Sequence, residues 1–231
     1  MEHYESWKDL LNPEFYIKLG GYWLVVFIIF AETGLFIGFF LPGDSLLFIS
    51  GIYSVEMVAN TFGSTGSNFL DTSIVAGSIA FAAIIGNELG YWIGYKTGPA
   101  FYKREDSFLF KKKYLFQAHD FFEKYGSLAV ILARFIPIVR TFVPIVAGIV
   151  KMDKKRFLFD NVAGALLWAF SLVFAGHYLD QLFIVKFGID LKEHLETIII
   201  VLVLVTTLPV VLKLIFGKVE DRKHPEEQSE E

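Results

Sequence analysis

The sequence predicts an all-α integral membrane protein. Its expected architecture is an inverted repeat of two re-entrant helical hairpins, each followed by a transmembrane helix, plus a C-terminal transmembrane helix. Three observations lead there. The chain is 54% apolar with 25 phenylalanines, at a mean hydropathy of +0.50, a composition foreign to soluble domains. Two apolar blocks are interrupted by Pro, Gly and charged residues. Basic clusters flank the second block on both sides, and Lys/Arg-rich flanks normally stay cytoplasmic.

The net charge of −4 hides a segregation of sign. No Lys or Arg occurs between Lys18 and Lys96, whereas Glu32, Asp44, Glu56, Asp71 and Glu88 all do. The absence of cysteine excludes disulfides, thiolate metal sites and cysteine catalysis. Residues 1–19 are polar and mixed in charge, without a cleavable signal-peptide pattern, and read as an amphipathic lead-in.

The membrane domain is expected over 20–216. Its first apolar block, Gly20 to Tyr53, is too long for one span of ~20 residues and too short for two spans with a loop. Glu32-Thr33-Gly34 and Pro42-Gly43-Asp44 break it, because Pro and Gly end helices. A re-entrant hairpin over about 20–54 results, with Pro42, Gly43 and Asp44 at its tip. Val55 to Thr72 lacks positive charge and reads as a flexible extracytoplasmic loop. A span over about 73–95 follows, in which Gly86, Gly90, Gly94 and Gly98 share one face where another backbone can approach. Asn87 and Glu88 read as an interfacial polar pair. Residues 114–126 read as an amphipathic helix in the interface.

The second block, 127–150, carries Arg134, Pro137, Arg140, Pro144 and Gly148. Upstream lie Lys103, Arg104, Lys111, Lys112, Lys113 and Lys124; downstream lie Lys151, Lys154, Lys155 and Arg156. With both flanks cytoplasmic the segment enters and leaves by one face, and Pro137 and Arg140 fall near the midplane. Pro144 and Gly148 are assigned to the same tip. Spans over about 157–178 and 197–216 complete the domain, joined by a polar outer connection, Asp180 to Glu196. A disordered charged tail, 217–231, follows. The two halves share one grammar in opposite senses, and interrupted segments in corresponding positions point to a transporter's midplane site. Met1 is then expected outside.

A charge at the bilayer centre costs ~2.5–3.5 kcal/mol even on the translocon-insertion scale. Four unpaired charges would cost on the order of 10 kcal/mol, as much as a protein's whole stability. Glu32, Asp44, Arg134 and Arg140 are therefore expected to meet each other, or water, where the tips converge. Trp168 and His177 read as packing and interface residues. The five histidines lack ligand spacing, so neither a metal nor another cofactor is expected.

Glu32-Thr33-Gly34 together with Phe40-Leu41-Pro42-Gly43-Asp44-Ser45-Leu46-Leu47 resembles the acidic signature of the DedA family of bacterial inner-membrane proteins, part of the SNARE-associated/VTT-domain superfamily. Arg134-Phe-x-Pro137-x-x-Arg140-x-x-x-Pro144-x-x-Ala147-Gly148 is similar to its basic signature. Gly86-Asn87-x-x-x-Tyr91-x-x-Gly94-x-x-x-Gly98 and Phe121-Phe122-x-Lys124-Tyr125-Gly126 stand in the family's order. The resemblance implies a multi-pass lipid transporter or flippase of the bacterial inner membrane, not an enzyme. It implies undecaprenyl phosphate or phosphatidylethanolamine as cargo, and scramblases as eukaryotic relatives. It places the family's required acidic pair on Glu32 and Asp44 and its required arginines on Arg134 and Arg140. Asn87 departs from it, since many members carry Asp there.

Guanidinium groups bind phosphate bidentately and keep their charge when desolvated, so Arg134 and Arg140 are expected to hold a lipid phosphate. Glu32 and Asp44 would pair with them when the lipid is absent. Burial and a neighbouring guanidinium push a carboxylate's pKa in opposite directions, so a change of partner can switch its protonation. The partners expected are membrane lipids and protons, with no nucleic acid; a homo-oligomer is left open. A lipid-phosphate phosphatase would need a base or nucleophile, typically His, and neither hairpin holds one. A small-cation/proton antiporter would leave the arginines without a role.

Overall fold

A computed structural model of the chain describes residues 13–35, 43–103, 127–195, 197–198 and 200–201. Every regular element among them is helical: α1 (Pro13–Gly34), α2 (Gly43–Ile52), α3 (Ser54–Phe62), α4 (Asn68–Lys103), α5 (Ser127–Ala133), α6 (Pro137–Ile149), α7 (Lys154–Phe187) and a 3₁₀ turn (Leu191–His194). Residues 1–12 of the lead-in, Pro42, the interfacial helix expected over 114–126, most of the span expected over 197–216 and the 217–231 tail lie outside the described residues.

Two helices are long and apolar enough to cross a membrane: α4, through Asn68–Gly98, and α7. The 31-residue stretch Asn68–Gly98 of α4 would extend ~46 Å at ~1.5 Å each, beyond a ~30 Å hydrocarbon core. The α2–α3 pair, bent by 75°, would make a third span if taken as one. The apolar stretches Gly21–Gly34 of α1 and Val139–Ile149 of α6 are shorter. Each interrupted block thus yields two helical arms, α1 with α2 and α5 with α6. α1 is kinked at Gly21, whose φ of 55° and ψ of −141° carry no penalty without a Cβ.

Two expectations need correction. Val55–Thr72 is not a plain loop: α3 takes it up to Phe62, where Met57 and Val58 find buried places against the core, and α4 begins at Asn68. Asp180–Glu196 is not a plain polar connection either. α7 continues to Phe187, with Asp180 buried in it, and stops at Gly188 in the left-handed conformation. Leu191 and Leu195 then pack on Phe48, Ile49 and Ile52 of α2.

Helix α4 is central and packs on α1, α6 and α7, while α7 also packs on α2 and α5. Lipid tails are as apolar as the side chains, so membrane helices associate by close van der Waals packing. Glycine makes that approach here in two places built alike. A Cβ on Gly94 of α4 would strike the Ile145 carbonyl of α6, and one on Gly148 of α6 would strike the Tyr91 carbonyl of α4. A Cβ on Gly51 of α2 would strike the Val173 carbonyl of α7, and one on Gly176 of α7 would strike the Phe48 carbonyl of α2. The second arm of each block thus docks on the long helix of the other half. The glycine stripe on α4 is divided: Gly86 lies against Gly34 and Thr33 of α1, whereas Gly90, Gly94 and Gly98 lie against α6.

Backbone carbonyls cannot move aside as a side-chain end can. Gly94→Val and Gly148→Val are therefore expected to lower stability on the order of 3 kcal/mol through overpacking, read by thermal unfolding in detergent. Gly77, with nothing within 4 Å of a built Cβ, is the control: Gly77→Ala should leave the protein unchanged or more stable by up to ~1 kcal/mol.

Candidate functional site

Three short elements bring the charges together. Glu32 stands near the end of α1, Asp44 in the first turn of α2, where the helix dipole favours an anion, and Arg140 one turn into α6. Pro137 opens α6, a position where the missing N–H is no loss. Arg140 Nη2 donates to Glu32 Oε1 at 2.5 Å and Nη1 donates to Asp44 Oδ1. One guanidinium so spans both acidic residues of the first interrupted block. Asp44 forms the edge of the cluster, its side chain 15% exposed against 1% for Glu32 and 6% for Arg140. Glu32 Oε2 and Arg140 Nε are buried without a hydrogen bond among the described residues.

The Pro-Gly-Asp turn has its reason here. The Glu32 carboxylate lies so close to Gly43 that any Cβ there would overlap it. Only glycine lets the carboxylate approach the start of α2.

Arg134 departs from expectation. It is buried and has no carboxylate partner among the described residues. Nη1 donates to the Asn161 carbonyl (2.8 Å) and to Asn161 Oδ1 (3.0 Å), and Nη2 reaches the Ala83 carbonyl (3.4 Å). Asn87 completes the cage. With its amide oriented to satisfy both ends, its oxygen accepts from Arg134 Nη2 at 3.1 Å and its nitrogen donates to the Thr33 carbonyl at 3.2 Å. Asn161 Nδ2 donates in turn to the Ile84 carbonyl (3.1 Å) and to Glu88 Oε1 (3.3 Å). Neutral acceptors thus hold this cation, while the two carboxylates converge on the other.

Trp168 of α7, expected to be packing, joins the two arginines. Its indole Nε1–H donates to Asp44 Oδ1 at 2.9 Å. Its ring centroid lies 4.8 Å from the Arg140 guanidinium carbon and 5.8 Å from that of Arg134, within cation–π range. His177 stays apart, bonded to Ser54 (3.4 Å) and Gln181 (3.0 Å). Of the residues assigned to the second tip, the break itself falls at Arg134–Ile136, between α5 and α6. Pro144 lies inside α6 against Gly90, and Gly148 lies near the helix end against α4, so both serve packing. The reason is length: the break takes only Arg134–Ile136, which leaves the rest of the block helical. Among the described residues, no group of three or more His, Asp or Glu side chains could hold a metal ion.

The VTT-domain model matches residues 20–178, well over half of the chain. The protein belongs to the VTT-domain family. It is 37% identical over 197 residues to Protein DedA of Escherichia coli (85% of this chain, 83% of that one). It is 36% identical over 207 residues to an uncharacterized membrane protein of Mycobacterium tuberculosis (87% and 84%). It is 31% identical over 194 residues to inner membrane protein YqjA of E. coli (77% and 74%). No solved structure matches. The resemblance in the paired motifs is thus borne out, and this VTT domain contains the whole cluster, from Glu32 to Trp168.

Asn161 escaped the sequence reading, which took Trp168 for a packing or interface residue. The signal was present as an amide inside an apolar helix, since a polar group at that depth needs a partner.

The geometry makes the three ionised groups unequal. Arg140→Gln leaves the buried Glu32 carboxylate facing the partly buried one of Asp44 and is expected to cost on the order of 3–5 kcal/mol. Asp44→Asn leaves Arg140 paired with Glu32 and should cost clearly less. Thermal unfolding of both single variants and the double variant checks this, and the double variant should cost less than the sum of the singles.

Proposed function

We propose that this VTT-domain protein is a transporter that carries an anionic lipid phosphate across the bacterial inner membrane, with undecaprenyl phosphate as the cargo. The observation that carries the reading is the buried Arg140, whose ionic partners are two carboxylates that a phosphate can replace in kind. Guanidinium groups grip phosphate with paired donors. Arg134, held among the described residues by amides and carbonyls, adds positive potential 5.8 Å from the centroid of the same Trp168 ring. Each carboxylate released by an incoming phosphate is left in an apolar site, where taking up a proton relieves it. Proton coupling follows from that exchange.

The re-entrant reading draws support from the paired glycine crossings, in which each block's second arm meets the other half's long helix. Residues 127–150 then enter and leave by the cytoplasmic face. The acyl or isoprenyl tail stays in the bilayer, against the apolar side chains exposed around the turn, Phe135 and Val139. The relatives described as membrane and inner membrane proteins suit that location. Transport without bond breaking is proposed, because carboxylates, guanidinium groups, amides and an indole make up the cluster. Among the described residues no histidine or serine bonds to it.

Liposomes carrying the purified protein and a labelled lipid phosphate test the proposal. Wild type should move the label across the bilayer and release no inorganic phosphate. Arg140→Lys should lose about tenfold or more of that rate at near-normal thermal stability, because a lysine has no fork. Hydrolysis of the label, or wild-type transport by Arg140→Lys, would contradict it. Topology is checked separately. Single cysteines at Ser127 and Lys151 should both react from the cytoplasmic side, and reaction from opposite sides would mean that the segment crosses.

A further inference from the structure

Two donors on different helices converge on a single oxygen. Arg140 Nη1 from α6 and Trp168 Nε1–H from α7 both donate to Asp44 Oδ1. The acceptor is the most exposed ionised group of the cluster, while Trp168 is fully buried. The indole N–H is neutral, donor-only and unable to titrate. When Asp44 gives up Arg140, this N–H loses its acceptor too, and a buried donor without a partner is costly. An incoming phosphate oxygen in the same position would satisfy both donors at once. The face of the ring meanwhile holds the Arg140 guanidinium carbon at 4.8 Å from its centroid, so the edge serves an anion and the face a cation. The donor stands on one side only. Two helical turns before Gly176 on α7 is Trp168, whereas two turns before the corresponding Gly94 on α4 is Gly86.

We propose that the place held by Asp44 Oδ1 is the seat of a lipid-phosphate oxygen, and that Trp168 Nε1–H binds it together with Arg140 Nη1. The proposal rests on the transport reading above. Trp168 becomes a substrate-binding residue, and Asp44 is the internal anion that keeps the seat filled between cargoes.

The test removes the internal anion first, so that Trp168 is measured against phosphate alone. Dioctanoyl phosphatidic acid is titrated into the detergent-purified full chain by calorimetry, with dioctanoylglycerol and inorganic phosphate as further arms. Asp44→Ala should bind phosphatidic acid more tightly than wild type, and dioctanoylglycerol should not bind at the site. Adding Trp168→Phe to Asp44→Ala should weaken phosphatidic acid binding about tenfold, the loss of one hydrogen bond to a charged group. A benzothienylalanine at position 168 of Asp44→Ala keeps the bicyclic ring and lacks the N–H. It should show the same weakening at unchanged thermal stability, which a purely packing role would not produce. Undiminished binding with that isostere would overturn the role of Trp168 and leave the transport reading standing. Inorganic phosphate binding as tightly as phosphatidic acid would overturn the lipid assignment of the seat. No binding of phosphatidic acid by wild type or Asp44→Ala would overturn the transport reading, and this proposal with it.

Discussion

The Arg140 guanidinium is the point on which four helices depend. It leaves α6, bonds to Glu32 of α1 and Asp44 of α2, and lies over the Trp168 ring of α7. In an apolar interior, losing one partner of a buried ion pair leaves a charge that nothing else neutralises. The arrangement is therefore exacting even where its net contribution to stability is small. Local features follow from it. Gly43 leaves room for the Glu32 carboxylate, α2 starts where its first turn can present Asp44, and α6 starts one turn before Arg140.

Arg134 and Arg140 are alike in sequence and opposite in setting. Arg140 is held by groups that carry charge and can exchange it for the charge of another anion. Arg134 is fastened to backbone carbonyls and to the amides of Asn161 and Asn87, which cannot compensate its charge. The two positive and two negative groups balance across the cluster as a whole, and the Trp168 ring is within reach of both cations. Such a site has one cation held by ionic partners and one held by neutral ones, the asymmetry on which the transport proposed above rests.

Glycine supplies the packing that lets these groups meet. The two crossings, α4 on α6 and α2 on α7, place each glycine against a carbonyl of the opposing helix. Both second arms dock on the long helix of the other half, and the ion cluster likewise draws Glu32 and Asp44 from one half and Arg140 from the other. Tyr91 adds a tie, its hydroxyl donating to the Met152 carbonyl at 2.6 Å. Asp153 caps the start of α7 by accepting from the Arg156 N–H at 2.8 Å.

The sequence by itself determined the class of molecule, its family, and the charged residues that would have to be neutralised. Composition, the Pro and Gly interruptions and the cost of intramembrane charge are local properties, and each can be read along the chain. The interrupted blocks appear as paired short helices, and Glu32, Asp44 and Arg140 meet. Only the tertiary structure decided who partners whom. It divided the α4 glycine stripe between α1 and α6, moved Pro144 and Gly148 from the tip to a helix interface, gave Arg134 amides in place of carboxylates, and made Trp168 part of the site. The physical reason is that a partner is chosen by which helices cross and at what register. Charge and polarity along one chain say that a group needs a partner, and the crossing alone says which side chain is within 3 Å of it.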